Sequence, residues 1–202
     1  MYNDKDRGDT MNFVIYGEDK LLMEQRLKTL KKKYHICEED MNMVTYWCQD
    51  SSMSTIIEDA LTPPFLTEYK MIVLKNPLFL TAQKQKTMND ADIQKFMDYL
   101  PLDNPTTIFV IYHDQRNFDE RKKVVKTLRK YAHFYDIEKM DEHQLYKATH
   151  QAIKSRGCEI DEEALRLFLS RMPSHLLEIS QEVNKLCLYT KHITVETIDL
   201  LV

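Results

Sequence analysis

The chain has 202 residues, of which 43% are hydrophobic and 30% charged, with a formal net charge of -4. That size allows one large domain or two small ones with ordinary cores, and so slight a charge sets up no whole-molecule field that would draw DNA or an anionic membrane. Only three glycines occur, Gly8, Gly17 and Gly157, which favours a helix-rich chain with few tight hairpins.

Residues 1–11 are polar, lack the apolar segment of a signal peptide, and read as a disordered leader or a vector-derived tag, with Met11 as the natural start. Asn12 to Tyr16 is a short β-type run ended by Gly17. Asp19 can cap a following helix whose apolar positions Met23, Leu27, Leu30 and Tyr34 recur at helical spacing. After the acidic turn Glu38-Glu39-Asp40 comes Met43 to Trp47, a strand rich in branched and aromatic residues. Thr55 with Glu58 fits a capping box for a short helix ending near Leu61. Met71 to Leu74 is apolar throughout, as in a strand covered on both faces, and Asn76-Pro77 stops it. The segment Leu78 to Met88 has no clear period and reads as loop or irregular helix. Asp92 to Leu100 places Ile93, Phe96, Met97 and Leu100 on one helical face. Thr106 to Tyr112 is the strongest strand signal in the chain. Asn117 can cap a helix running through Lys130, and Phe134 to Ile137 is a last short strand.

Strands alternating with helices over residues 12–140 predict an α/β domain: a parallel or mostly parallel sheet with helices on its faces. From Asp141 the pattern changes. Four helical segments, Glu142 to Arg156, Asp161 to Met172, Ser174 to Tyr189 and Thr194 onward, follow with no strand between them, so residues 141–202 read as a small helical domain. The chain stops at an apolar, uncapped Asp199-Leu200-Leu201-Val202, as at a domain boundary with more protein beyond. The uncharged apolar stretches are all too short to span a bilayer. Cys37, Cys48, Cys158 and Cys187 lack paired CxxC spacing and read as free thiols of a cytoplasmic protein.

One stretch departs from ordinary loop chemistry. Two successive prolines, Pro63 and Pro64, offer no amide hydrogens and hold φ near one value, so the backbone from Leu61 to Leu66 is neither helix interior nor central strand. Loops are normally polar, yet this one carries Phe65 and Leu66 side by side. The pair either folds back as a lid on its own core or stands out as a plug for another molecule. Sequence leaves both open.

An α/β sheet followed by a small helical domain is the general plan of the AAA+ ATPases, so nucleotide binding has to be tested. A phosphate-binding loop needs spaced glycines followed by Lys and Ser or Thr, because only bare backbone approaches the phosphates. After the first strand stand Gly17-Glu18-Asp19-Lys20-Leu21-Leu22, with one glycine, two carboxylates and no hydroxyl. The strand ending at Tyr112 runs into His113-Asp114, without the paired acids that hold Mg²⁺ and a water. NTPase activity and a nucleotide cofactor are therefore not expected. Nor does the chain carry an HExxH helix, a GxSxG elbow or histidines and cysteines at metal-ligand spacing; His143 and His150 lie two helical turns apart and read as solvated. No cofactor or metal is expected, and no catalytic residue. The basic run Arg121 to Lys130 holds six cations in ten residues, and Arg121, Lys122, Lys126 and Arg129 are candidates for a DNA or subunit contact. Asp119 and Glu120 partly offset them and no aromatic residue interleaves to stack on bases. A nucleic-acid-binding protein using this helix is the rival to a plug that docks on a protein.

Four stretches carry a family resemblance: Phe13 to Glu24, Leu61 to Pro77, Asp114 to Lys123, and Glu182 to Leu186 with Ile193-Thr194. In this order and spacing the chain resembles the delta subunit of the bacterial DNA polymerase III clamp loader. The resemblance implies a non-catalytic subunit that grips and opens the ring-shaped sliding clamp, the beta subunit, while neighbouring loader subunits (gamma or tau, and delta prime) handle ATP. DNA would be met only indirectly, and no membrane is implied. It also implies a third, collar domain that joins the subunits and that this chain lacks. In that family an exposed apolar pair after the second helix enters a pocket on the clamp, and the matching positions here are Pro64 and Phe65, with Leu66 next. Proline stands where some relatives carry the first apolar residue, which shifts the expected contact onto Phe65 and Leu66.

Overall fold

The computed structural model describes residues 10–37, 41–83, 88–172 and 176–202. The acidic turn Glu38-Glu39-Asp40, most of the leader and the residues Pro173 and Ser174 lie outside the described residues. Two compact units form; the main division along the chain falls between Ile137 and Glu138, and Asp19–Leu21 group with the second unit.

The first unit is a five-stranded sheet built from β1 (Asn12–Gly17), β2 (Met43–Trp47), β3 (Lys70–Lys75), β4 (Thr107–His113) and β5 (His133–Ile137), in the order β2-β3-β4-β1-β5. Every neighbouring pair runs parallel. Parallel neighbours require crossovers, and helices supply them: α1 (Lys20–Lys33), α2 (Met53–Leu61), α3 (Asp90–Tyr99) and α4 (Lys123–Tyr131). Strand alternation divides the core between the two faces. Val14, Ile72, Leu74, Phe109 and Ile111 pack with Ile56, Phe96, Val125 and Leu128 from α2, α3 and α4. Phe13, Ile15, Met71, Val73, Ile108 and Val110 pack with Met23, Leu27 and Leu30 from α1. The expected α/β class with helices on both sheet faces is what the structure has.

Two cap assignments need correcting. Helix α2 is capped by Ser52, whose hydroxyl accepts the Thr55 amide, and not by Thr55 itself. Helix α4 starts at Lys123, six residues after Asn117, because Phe118 is held in an extended bridge with Thr81 and Lys122 turns back on Asp119. The Asn117 amide instead bonds His113, with Nε2 to Oδ1 at 2.8 Å. For α3 the expected start at Asp92 moves to a capping box between Asn89 and Asp92. Part of the segment left without a period, Leu78–Leu80, is a single 3₁₀ turn.

The second unit contains α5 (Glu142–Ser155), α6 (Glu162–Arg171), α7 (Leu176–Tyr189) and α8 (Val195–Leu201). Leu145, Ile153, Leu165, Phe168, Val183, Leu186 and Ile198 form its core. Gly157 ends α5 with φ +70, the left-handed conformation that a side chain resists. The helices are not without strands between them: β6 (Glu159–Ile160) and β7 (His192–Ile193) pair in parallel. Two-residue strands are too short to show a period in sequence.

Candidate protein-docking loop and the basic helix

The connection from α2 to β3 is held at both ends and apolar in the middle. At its start, the last carbonyls of α2 have no helical partners and must find others. Thr62 donates its amide and hydroxyl to Glu58 O. Asn104 Nδ2 and Thr107 Oγ1 each donate to Ala60 O at 2.8 Å. Lys70, the buried first residue of β3, sends its ammonium to Asp59 O at 2.7 Å and to Asp59 Oδ1 at 2.5 Å. A cation at a helix C-terminus faces the negative end of the helix dipole, so the contact is favourable twice over. Tyr46 donates to the other Asp59 oxygen at 2.9 Å. Burial, and then the bond to Asp59, push the Tyr46 hydroxyl up to about 12.

At the middle of the loop the Asn42 side chain holds Phe65 by both backbone groups. Phe65 N–H donates to Asn42 Oδ1 at 2.6 Å, and Asn42 Nδ2 donates to Phe65 O at 2.8 Å. Asn42 is only 4% exposed, and its own carbonyl accepts the Met71 amide, so the support is itself tied to the sheet. With its backbone fixed, Phe65 turns its ring outward and is 61% exposed; Leu66 is 89% exposed and Leu61, at the foot, 52%. Pro64 is half-buried and acts as stalk. Leu66 sits at φ +57, a conformation that costs a branched L-residue about 1 to 2 kcal/mol. The lid alternative, in which Phe65 folds onto its own core, does not describe this geometry.

The basic segment is arranged differently. Arg121 makes a two-point pair with Asp119, at 2.9 and 3.0 Å, and this hydrogen bonding holds the Asp119 carboxyl down at about 2. Arg129 bonds Glu120 at 2.7 Å and lies 3.9 Å over the Phe134 ring, with Tyr16 and Phe118 alongside. Lys122 donates to Phe79 O at 3.0 Å. Lys126 is exposed. Three of the four candidate cations therefore have partners within their own unit. His143 and His150 are exposed.

At the end of β1, where a phosphate loop would stand, Gly17 serves strand packing. A Cβ there would lie 2.1 Å from the Ile137 carbonyl oxygen of β5. Asp19, two residues after Gly17, is buried. Among the described residues no three His, Cys, Asp or Glu side chains come together as metal ligands, and no helix is long and apolar enough to cross a membrane.

Sequence reasoning singled out Phe65 and Leu66, which the structure leaves exposed, but missed Asn42, which bonds the Phe65 backbone, and Lys70, Asp59 and Asn104, which tie down the end of α2. Asn42 lies 23 residues from its partner, and nothing local marks it.

Fold and site together define a class: an AAA+-like α/β unit without a phosphate loop, with an exposed apolar loop between α2 and β3, joined to a helical unit. The family model for the DNA polymerase III delta subunit matches residues 13–138, more than half of the chain, and the chain belongs to that family. It is 27% identical over 194 residues to DNA polymerase III subunit delta of Bacillus subtilis (strain 168), an alignment covering 94% of this chain and 56% of that one. Among solved structures it is similar to the Bacillus subtilis DNA clamp loader delta protein (YqeN), with TM-score 0.69, 26% identity, and coverage of 95% of this chain and 57% of that one. Domain III of the Thermotoga maritima replication initiation protein DnaA shares the fold at 15% identity, with TM-score 0.54 and coverage of 98% and 85%. The chain thus spans little more than half the length of both Bacillus relatives.

Proposed function

We propose that this chain is the clamp-gripping portion of a clamp loader delta subunit, which binds and opens the ring-shaped sliding clamp for loading onto primed DNA. Phe65 and Leu66 enter an apolar pocket on the clamp, and Pro63 and Pro64 present them. The chain works without ATPase activity of its own, in the cytoplasm, as a non-catalytic accessory subunit. Gamma or tau and delta prime subunits would join it through a collar domain.

The observation that carries this reading is the exposure of two large apolar side chains on a loop whose backbone is fixed by Asn42 and by the capped end of α2. Burying a Phe or a Leu contributes roughly 1.5 to 3 kcal/mol each. A loop ordered in advance loses little conformational entropy on docking. Ring opening then follows from linkage: the subunit shifts the open-closed equilibrium by the difference in its affinity for the two states, and by no more.

The test is gel filtration of this chain mixed with the sliding clamp of the same organism. Co-elution at a mass above either component is expected. Separate elution, combined with salt-sensitive binding of duplex DNA, would instead favour the basic helix.

A further inference from the structure

We infer that Asn42 is a positioning residue for the docking loop, which presets the direction of the Phe65 ring before any partner arrives; this rests on the clamp-gripping reading above. One edge of the planar Asn42 amide offers its oxygen as acceptor and one N–H as donor, the same pair that a neighbouring strand offers to an extended residue. That edge meets one residue: Phe65 N–H donates to Oδ1, with N···O 2.6 Å, and Nδ2 donates to Phe65 O at 2.8 Å. Two bonds to a single residue fix its backbone against rotation as well as translation.

Phe65 needs such a hold because its neighbours supply none. Pro63 and Pro64 have no N–H to donate. Leu66 stands in the left-handed region, and its side chain is almost wholly outside. Thr67 spends its hydroxyl on Tyr69 O, further along the loop. Asn42 in turn is anchored where the sheet is firm, since its carbonyl takes the Met71 amide at the start of the buried strand β3. The side chain therefore transfers the rigidity of the sheet to a loop that lies outside it. Without this hold the loop would pay the ordering entropy of Phe65 at the moment of docking.

The experiment has two arms, both on the chain as it stands. In the first, amide hydrogen exchange of the isolated chain reads the Phe65 N–H. In the second, titration against the sliding clamp compares the parent with Asn42→Ala, Asn42→Asp, Phe65→Ala and the double variant Asn42→Ala with Phe65→Ala. Loss of two hydrogen bonds is expected to speed Phe65 exchange by about tenfold or more and to weaken clamp binding by about tenfold in Asn42→Ala. Asn42→Asp keeps an acceptor for the Phe65 N–H, so it should keep that amide protected while binding the clamp with intermediate affinity. Because Asn42 acts largely by aiming the Phe65 ring, its removal should cost clearly less once Phe65 is already alanine, the remainder passing through Leu66, whereas general damage to the fold would cost the same in both backgrounds.

Equal loss from Asn42→Ala in the parent and Phe65→Ala backgrounds would overturn the inference while leaving the docking loop intact. So would unchanged Phe65 exchange. A Phe65→Ala variant that binds as the parent does would overturn the clamp-gripping reading itself, and this inference with it.

Discussion

The α2–β3 loop and the basic α4 segment are two regions of unusual sequence, one apolar and one cationic, and they place their side chains in opposite ways. The loop holds its backbone polar groups inward, on Asn42, Lys70, Asn104 and Thr107, and leaves its apolar side chains outside. The basic segment turns most of its charge onto its own unit, with Arg121 on Asp119, Arg129 on Glu120 and Phe134, and Lys122 on Phe79 O. Exposed charge is ordinary, and exposed Phe and Leu on a fixed backbone are not. The comparison teaches that what a surface does is decided by which groups have been satisfied internally, not by which residue types its sequence contains.

The largest expected effect lies on the loop. Phe65→Ala should weaken clamp binding by about 2 to 4 kcal/mol, as removal of an aromatic anchor does, with thermal stability unchanged. An isothermal titration paired with a melting curve separates the two. Loss of stability instead would mean that the ring packs at home.

Leu66 offers a sharper contrast, because its side chain and its backbone pull in opposite directions. Leu66→Gly should weaken clamp binding by roughly 1.5 to 3 kcal/mol through lost burial. The same change relieves the left-handed backbone, so stability should hold or rise by up to about 1 kcal/mol against the added freedom of the unfolded chain. Leu66→Ala should show the binding loss without the relief. Denaturant titration of the two variants checks the sign.

On the basic segment the expected ranking is reversed. Arg129→Ala should cost about 1 kcal/mol of stability through its stacking on Phe134, while Lys126→Ala should cost none. Neither should alter clamp affinity. If Lys126→Ala reduced DNA affinity and flattened its salt dependence, the helix would have a role that its internal pairs do not suggest.

The smallest effect concerns Tyr46 and the foot of the loop. Its folded pKa is raised to about 12 from the ordinary value of 10.0, so its contribution is fully present below pH 10 and lost as pH rises through 12. The stability difference between the parent and Tyr46→Phe should therefore shrink across that window, which chemical denaturation at stepped alkaline pH would follow.

Much of the fold was legible because the central strands are apolar on both faces and the helices carry regular stripes, as in Met71 to Leu74 and in Met23, Leu27 and Leu30. The Asn117 cap was misread because Asn, Ser and Thr suit turns as well as caps, and only the distant Thr81 bridge decides that Phe118 is extended. Ser52 and Thr55 posed the same ambiguity within one turn. In the loop, the apolar pair Phe65 and Leu66 could be picked out from its own chemistry, but its outward direction could not, because that depends on the distant Asn42. Nor could the residues that hold the loop, since Asn42, Asn104 and Lys70 find their partners only after the sheet has formed.

The most direct measurement places a photo-reactive phenylalanine analogue at Phe65 in one sample and at Lys126 in another, and irradiates each with the sliding clamp. A covalent adduct to the clamp is expected from position 65 and none from position 126. An adduct from position 126 alone would contradict the clamp-gripping reading.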